Sequence, residues 1–387
     1  MLKPFAALCL TIGLAVNTPT VALSPIAQPP ANVGLDDQIW AQAGKPGDRA
    51  RLLRAIDYSL DYLKTEKAEK NYKAYTAPGQ PGSALGSNLK LRVTKSLQRF
   101  RQLVVKSKSA RQLQAAVKRE FAFYQAAGKD NAGKVEFTGY YEAVYPASPV
   151  PTATYRYPLY GLPPDFKQWD KPHPTRTELE GTDGLQGSKG QLRGLELVWL
   201  RDRMAAFLVQ VQGSAKLQLT NGKVMTVGYA GKTDYPYVSI GQELIKDGKL
   251  TREELTLPRL IAYFQAHPQA MDTYLPRNQS FVFFKNTQGG AATGSLSVPV
   301  TPERSIATDK TLMPPGALAL IYTAIPYPNR AGKLEKRLVS RFTLDQDTGS
   351  AIKGPGRVDI FMGTGAKAKA RAGLINTPGQ LYYLLLK

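Results

Sequence analysis

Two alternating segments near the C-terminus, separated by a glycine-rich stretch, constrain the fold more than any other feature of the chain. Residues 341–344 and 358–361 each alternate in polarity, as half-buried β-strands do. The glycine-rich stretch between them predicts a turn. Asp347 and Asp359 stand twelve positions apart in this segment. The pattern therefore predicts strand, turn and strand, with Asp347 in the turn and Asp359 on the second strand.

Asp359 stands among apolar residues on its predicted strand. Burial of a carboxylate disfavours its charged form and raises its pKa, which suits a general acid near neutral pH. A plainer interpretation, which the pattern alone favours, is that Asp347 forms a turn with Thr348 and Gly349. In that interpretation Asp359 pairs with a neighbouring Arg or Lys on a solvated edge. The two interpretations stay open on the pattern alone.

The N-terminal part of the chain is predicted to be helical. Residues 49–64 and 88–106 each place apolar side chains on one face at helical spacing. Ser109 with Gln112 three positions later is a capping-box pattern that opens a third helix, and Gly128 is suited to end it.

A stretch rich in Pro and Ala, residues 25–34, precedes these helices and is predicted to be an extended spacer. We therefore expect a linker at 23–35 and an appended helical region at 36–130. This region is expected to dock on the rest of the chain or on other envelope proteins, and to be separable from the β structure on its C-terminal side.

From Val135 the sequence takes on the character of β structure, and Asn221–Gly222 predicts a hairpin turn. Residues 209–214 alternate in polarity and are predicted to form a strand with Gln210 and Gln212 on one face. Those amides suit sugar hydroxyls, although a solvated sheet face explains them equally well. Aromatic pairs such as Tyr140 and Tyr141 are likewise found both in cores and in sugar sites. Two helices are predicted further on, at 239–246 and 252–266.

The first residues have the pattern of a signal peptide: Lys3, an apolar run from Phe5 and a cleavage motif at 20–22. The run is too short to span a bilayer, so no transmembrane helix is predicted. Leu8 precedes the single cysteine, Cys9, where a lipoprotein signal would place a small residue, which argues against a lipid anchor. We expect a signal peptide at 1–22 and an exported protein of the periplasm or outer membrane.

The formal net charge of +21 favours an anionic partner. Nucleic acid is not expected, because the Lys and Arg residues are spread along the chain without a nucleic-acid-binding motif. For an exported protein, carboxylate-rich polymers such as the peptides of peptidoglycan fit better. The two histidines, His173 and His267, have no second ligand at metal spacing, so no metal or cofactor is expected.

A series of short motifs runs through residues 135–387 and is more specific together than any one motif alone. These are FTGYY at 137–141, VQVQGS at 209–214, GYAGK at 228–232, SIG at 239–241, NQSFVFF at 278–284, RSIATD at 304–309, DTGSAIKG at 347–354 and VDIF at 358–361. In this order they resemble the membrane-bound lytic murein transglycosylase A family, with its C-terminal three-aspartate domain.

The resemblance implies a mainly β fold. It implies a double-psi β-barrel built from residues 131–155 plus 290–387, with a second β domain inserted at 156–289. The glycan strand of peptidoglycan would lie in a cleft between the two. The implied reaction is non-hydrolytic cleavage of the β-1,4 bond between N-acetylmuramic acid and N-acetylglucosamine, which leaves a 1,6-anhydro end.

The resemblance also implies roles for individual residues. Asp359 would act as acid and then as base, and Asp347 and Asp309 would support it. Lys353 would hold Asp347. Apart from the resemblance, the turn at Thr348 and Gly349 offers backbone N–H donors, which we expect to lower the Asp347 pKa. Asp345 matches no family aspartate and is expected to be a surface charge. The substrate-binding residues would be Tyr140, Tyr141, Gln210, Gln212, Gly213 and Ser214.

Two alternatives from other classes stay open on the sequence. One is a hydrolytic glycosidase, in which Asp347 or Asp309 activates water while Asp359 acts as the acid. The other is a catalytically idle cell-wall-binding protein, in which the positive charge and the helical region carry the function.

Overall fold

The computed structural model of the protein describes most of the chain. The described ranges are 22–41, 46–77, 79–86, 88–252, 254–255, 257–349 and 352–387. The predicted signal peptide, with Lys3, Cys9 and most of the cleavage motif, lies outside these ranges and stays a prediction. Within them, no helix is long and apolar enough to cross a membrane.

The described chain is mainly β with a helical N-terminal region, as the sequence predicts. Its strands are β1 (Leu23–Ile26), β2 (Phe121–Ala126), β3 (Val135–Ser148), β4 (Tyr157–Tyr160), β5 (Glu196–Leu200), β6 (Ser214–Leu219), β7 (Val224–Lys232), β8 (Val282–Asn286), β9 (Ser305–Ala307), β10 (Leu318–Pro328), β11 (Leu334–Asp347), β12 (Arg357–Thr364) and β13 (Asn376–Leu386). Its α-helices are α1 (Arg49–Leu63), α2 (Glu66–Tyr75), α3 (Leu89–Lys106), α4 (Ala110–Glu120), α5 (Arg176–Glu180), α6 (Arg203–Gln212), α7 (Ile240–Lys246), α8 (Leu257–Ala266), α9 (Ala270–Tyr274) and α10 (Ala366–Ala372).

Six strands close into a barrel in the order β13, β10, β11, β9, β12 and β3, and β3 pairs with β13 to complete the ring. The β11–β9 and β12–β3 pairs are parallel, and the other pairs of the ring are antiparallel. The closed ring leaves no free edge within the barrel. The double-psi crossing that the resemblance implies stays a prediction.

The long strand β3 belongs to both parts of the molecule. Its first half pairs with β12 and β13 in the barrel, and its second half, from Ala143, pairs with β6 and β5 in a second sheet. This second sheet also contains β4, β7 and β8 and carries α5 to α9, and we call it the second lobe. The two parts therefore meet inside a strand, rather than at the predicted boundary at 155/156.

The predicted strand at 209–214 is wrong, because residues 203–212 form helix α6. The Asp202 carboxylate accepts a hydrogen bond from the Met204 N–H at 2.8 Å and caps the helix, and Gly213 ends it with φ +76°. The alternation of Val and Gln covers only its last turn. The hairpin at Asn221–Gly222 is confirmed between β6 and β7, and α7 begins after its Ser239 cap. The helix expected from 252 begins at Leu257.

The predicted N-terminal helices form as α1, α3 and α4. Ser109 caps α4, because its hydroxyl accepts a hydrogen bond from the Gln112 N–H at 3.2 Å. Helix α4 nevertheless ends at Glu120 and not near Gly128, since residues 121–126 form β2 and pair with β13 of the barrel.

The expected linker at 23–35 is not a free spacer. Strand β1 pairs with β2, Val33 is fully buried, and the Gly34 N–H donates to the Ser340 hydroxyl of the barrel at 2.8 Å. Backbone pairing and apolar burial both hold this stretch, despite its Pro and Ala content.

The helical region is part of the barrel's core and not an appended domain. Its apolar side chains form one hydrophobic cluster with those of the barrel, and the ring centroids of Phe100 and Phe342 lie 4.7 Å apart. The buried Arg304 guanidinium donates to the carboxylates of Asp36 and Asp48. Removal of the N-terminal region would take away both carboxylate partners of this cation.

We expect a truncated protein that begins at Asn131 not to fold. It loses β2 beside β13 and both carboxylate partners of Arg304, and loss of a partner from a buried ion pair costs about 3–5 kcal/mol. Thermal unfolding followed by circular dichroism tests this, with a protein that begins at Ala22 as the folded control. A cooperative transition in the truncated protein would show that the region is separable after all.

Candidate active site

A cavity of about 770 Å³ lies where the barrel and the second lobe meet, and we call it the cleft. The barrel contributes Tyr140, Asp347 and Phe361 to its lining, and the second lobe contributes Tyr229 and Tyr237 among others. The segment that links β8 to β9, residues 287–304, lines it as well; we call it the connecting segment.

Asp359 lies on β12, directly opposite Thr138 of β3 in the parallel pair. The Thr138 hydroxyl donates to the Asp359 carboxylate at 2.9 Å. The Asp359 side chain is partly exposed. Asp359 does not itself line the cleft, but Phe361, two positions later on the same face of β12, does. Burial raises the Asp359 pKa to about 6, and the nearby Asp347 carboxylate also acts to raise it.

Asp347, at the end of β11, is held by three donors. Its Oδ1 accepts from the backbone N–H groups of Ser295 and Thr348, each at 2.8 Å, and its Oδ2 accepts from the Tyr140 hydroxyl at 2.8 Å. The expectation that these donors lower its pKa is wrong. Burial outweighs them and raises the pKa of Asp347 above its ordinary value.

Asp309 holds a loop in place. Its carboxylate accepts from the N–H and hydroxyl of Thr311, at 3.1 and 2.7 Å, and from the Gly354 N–H at 2.9 Å. Burial acts to raise the Asp309 pKa, but these donors outweigh it and the pKa is lowered. Lys353 is exposed and interacts electrostatically with Asp309, and no hydrogen bond joins it to Asp347 in the part of the chain that the structure describes.

The structure brings the six expected substrate-binding residues together along the cleft: Tyr140, Tyr141, Gln210, Gln212, Gly213 and Ser214. Gln210 is buried, however, and its amide oxygen accepts from the Arg176 guanidinium at 2.6 Å. Because α6 turns Gln210 inward, it supports the cleft wall and is not on a shared strand face with Gln212.

Sequence reasoning missed a buried ion pair beneath the cleft. Asp345 is completely buried and not a surface charge, and it forms a salt bridge with Lys310, whose ammonium also donates to the Asp347 carbonyl. The hydroxyls of Thr308 and Tyr383 each donate to Asp345 at 2.7 Å. Burial raises the Asp345 pKa despite these partners. The only sequence signal was a second aspartate two residues before Asp347.

Glu142 is a further buried carboxyl in the cleft lining. It accepts from the Thr364 hydroxyl at 2.8 Å, and burial raises its pKa. Across the described ranges, no group of three or more His, Cys, Asp or Glu side chains is placed to hold a metal ion.

Two protein-family models match the chain. One, described as the MltA specific insert domain, matches residues 136–285, and the other, the 3D domain, matches residues 304–385.

Two relatives from different organisms carry the same name. The chain is 32% identical over 263 residues to membrane-bound lytic murein transglycosylase A of Escherichia coli K12, covering 67% of this chain and 68% of that one. It is 33% identical over 266 residues to the protein of the same name from Vibrio cholerae, covering 68% of each.

Two solved structures of lytic transglycosylases are similar to this chain. A membrane-bound lytic murein transglycosylase from Agrobacterium tumefaciens matches with a TM-score of 0.67 at 25% identity, covering 88% of this chain and 93% of that one. The Escherichia coli MltA structure with bound chitohexaose matches with a TM-score of 0.64 at 25% identity, covering 95% of each chain.

The contribution of the Lys310–Asp345 salt bridge to stability can be measured. We expect Lys310→Met to lower the free energy of unfolding by about 3 kcal/mol, because Asp345 is left buried without its cation. The Lys310→Met/Asp345→Asn double variant should recover most of that loss. Urea denaturation at neutral pH measures both, and a single variant as stable as the wild type would contradict the assignment.

Proposed function

The chain belongs to the membrane-bound lytic murein transglycosylase A family and is a lytic transglycosylase, and from this premise we propose that it cleaves peptidoglycan with Asp359 as its one acid–base group. The bond cleaved is the β-1,4 bond between N-acetylmuramic acid and N-acetylglucosamine. The product carries a 1,6-anhydro end. We place the enzyme in the envelope, as an exported protein.

In the proposed reaction, the protonated Asp359 carboxyl gives its proton to the glycosidic oxygen as the bond from C1 to that oxygen breaks. The Asp359 carboxylate then takes the proton from the muramoyl 6-hydroxyl, whose oxygen forms the new bond to C1. Asp359 ends protonated, ready for the next turnover. The substrate supplies its own nucleophile, so a second carboxyl group is not needed to activate water, in contrast to the two-carboxylate glycosidases.

The observation that carries this assignment is the difference between the two neighbouring carboxyl groups. Asp359 has a pKa raised to about 6 and one side-chain donor, Thr138. A general acid needs a pKa near the working pH and an oxygen available to the substrate. Asp347 has a raised pKa too, but both its oxygens are engaged by three donors. This favours Asp359 as the acid and Asp347 as a group that positions others.

Asp347 and Asp309 have positioning roles in this proposal. Asp347 fixes the Tyr140 hydroxyl and the connecting segment at Ser295, and the Tyr140 ring packs 5.2 Å from that of Phe361. Asp309 ties Gly354 to the turn at Thr311. Together they keep the backbone segments beside Asp359 in one arrangement, since Ala307 of β9 pairs with both Asp347 and Asp359, and a preorganised site requires this.

The glycan strand is proposed to run along the cleft. Tyr141, Tyr229 and Tyr237 line it with aromatic rings, and Gln212 adds an amide. Such surfaces contact the C–H faces and hydroxyls of sugar rings. The match to a relative whose structure holds chitohexaose supports glycan binding by this chain.

We expect Asp359→Asn to fold and to lose turnover by at least about 100-fold, the lower range for removal of a general acid. Mass spectrometry of digested peptidoglycan measures the release of muropeptides with 1,6-anhydro ends. Asp170→Asn, an exposed aspartate outside the cleft, is the matched control and should keep wild-type activity.

Two outcomes would overturn the proposal. Folded Asp359→Asn with wild-type turnover would remove Asp359 from the role of acid. Products one water heavier than anhydro-muropeptides, from the wild-type enzyme, would show a hydrolase in which another carboxylate activates water.

The raised Asp359 pKa also makes a prediction about stability. A carboxyl whose pKa is higher in the folded protein contributes stability below its unfolded pKa of about 4, and this is lost as pH rises through about 6. At pH 8 we therefore expect Asp359→Asn to be more stable than the wild type by on the order of 2 kcal/mol. The difference should disappear near pH 4. Urea denaturation at both pH values measures it, and an equal difference at both would contradict burial as the cause.

A further inference from the structure

The lining of the cleft carries more positive than negative charge. Its lysines are Lys67, Lys232, Lys285 and Lys353. Its carboxylates are those of Glu142 and Asp347, and both accept hydrogen bonds from other residues of the protein. Neutral sugar rings carry no negative charge with which this excess of cations would pair.

Lys67 reaches the cleft from helix α2 of the N-terminal region. Its ammonium donates to the Ser295 carbonyl at 2.7 Å and to the Ser297 hydroxyl at 3.0 Å. A lysine ammonium has three N–H donors, so one remains for a ligand. No carboxylate forms a salt bridge with Lys67 among the residues that the structure describes.

Lys285 reaches the same cavity from β8 of the second lobe. Its side chain is exposed, and in the described ranges it has neither an ion pair nor a hydrogen bond to an acceptor. The two ammonium groups are close enough to repel each other: burial lowers the Lys67 pKa, and the charge on Lys285 lowers it further. Two like charges in one cavity, neither of them in a salt bridge within the described part of the chain, are stabilised when an anion binds.

The position of this pair relates it to the reaction. Ser295 links Lys67 to Asp347, because its carbonyl accepts from Lys67 while its N–H donates to Asp347. Lys67 therefore lies beside the carboxyl group that neighbours Asp359, and Lys285 lines the same cavity. In the proposed reaction the muramoyl residue lies next to Asp359. In peptidoglycan, the anionic groups next to a muramoyl ring are the carboxylates of the stem peptide attached to it.

We propose that Lys67 and Lys285 form an anion site that binds a carboxylate of the stem peptide on the muramoyl residue beside the scissile bond. This rests on the proposed function and names its preferred substrate class: glycan strands whose stem peptides carry free carboxylates. The N-terminal helical region thus contributes a side chain to substrate recognition, through Lys67.

Lys285→Glu is the sharper test, because Lys67 also holds Ser295 and its replacement would disturb Asp347. The substrates are one preparation of peptidoglycan strands with free stem-peptide carboxylates and the same strands with those carboxylates converted to neutral amides. The two substrates have the same peptides and differ only in the charge of those groups. The measured quantity is the ratio of kcat/KM on the free strands to kcat/KM on the amidated strands.

We expect this ratio to be above one in the wild type and to fall about tenfold in Lys285→Glu, because a repelling anion replaces an attracting cation. Lys285→Gln should fall between the two. Lys223→Glu, at an exposed lysine in the β6–β7 turn, makes the same charge change away from the cleft and should keep the wild-type ratio. High salt should reduce the wild-type ratio as well.

A ratio that is the same in the wild type, Lys285→Glu and Lys223→Glu would overturn the anion site while leaving the proposed function intact. Failure of the proposed function looks different, because neither kind of strand would then give products with 1,6-anhydro ends.

Discussion

The fold depends on one buried cation, Arg304, at the start of the three-aspartate segment. Its guanidinium is fully buried and donates to both oxygens of Asp36 and of Asp48. Burial opposes its charge, but the two carboxylates outweigh this and hold the Arg304 pKa above its ordinary value. Charges buried in this way must be paired, so the N-terminal region and the barrel form one folding unit. Arg341 joins the same network through Asp48.

A second constraint is the shared strand β3, which fixes the relative position of the two parts that line the cleft. Along its length, Thr138 donates to Asp359 and Tyr140 donates to Asp347, and from Ala143 the same strand enters the second sheet. The groups that hold both carboxyls are thus part of the backbone that fixes the second lobe. A cleft built on one continuous strand keeps its two walls in a fixed position relative to these two carboxyl groups.

The parts of this structure that local patterns encode were predictable. Alternation identified the strand that carries Asp359, and the Ser109 cap identified α4. The parts that depend on distant partners were not. Asp345 is buried where the pattern indicates solvent, because side chains of distant segments, Thr308, Lys310 and Tyr383, surround it. The opposite face of β11 is covered too, since Gln346 donates to Ala55 and Ser59 of α1. Gln210 faces Arg176 because α6 is a helix, and its Val-Gln alternation is also what a strand would show.

The order of the strands also determines when the protein can fold. The last strand, β13, pairs with β10, β3 and β2, so it stands at the centre of contacts between the barrel and the N-terminal region. Until it is present, neither part has a complete sheet to pack on, and contacts between chain ends this far apart form slowly. For the exported enzyme proposed here, this topology postpones folding until β13 has been synthesised.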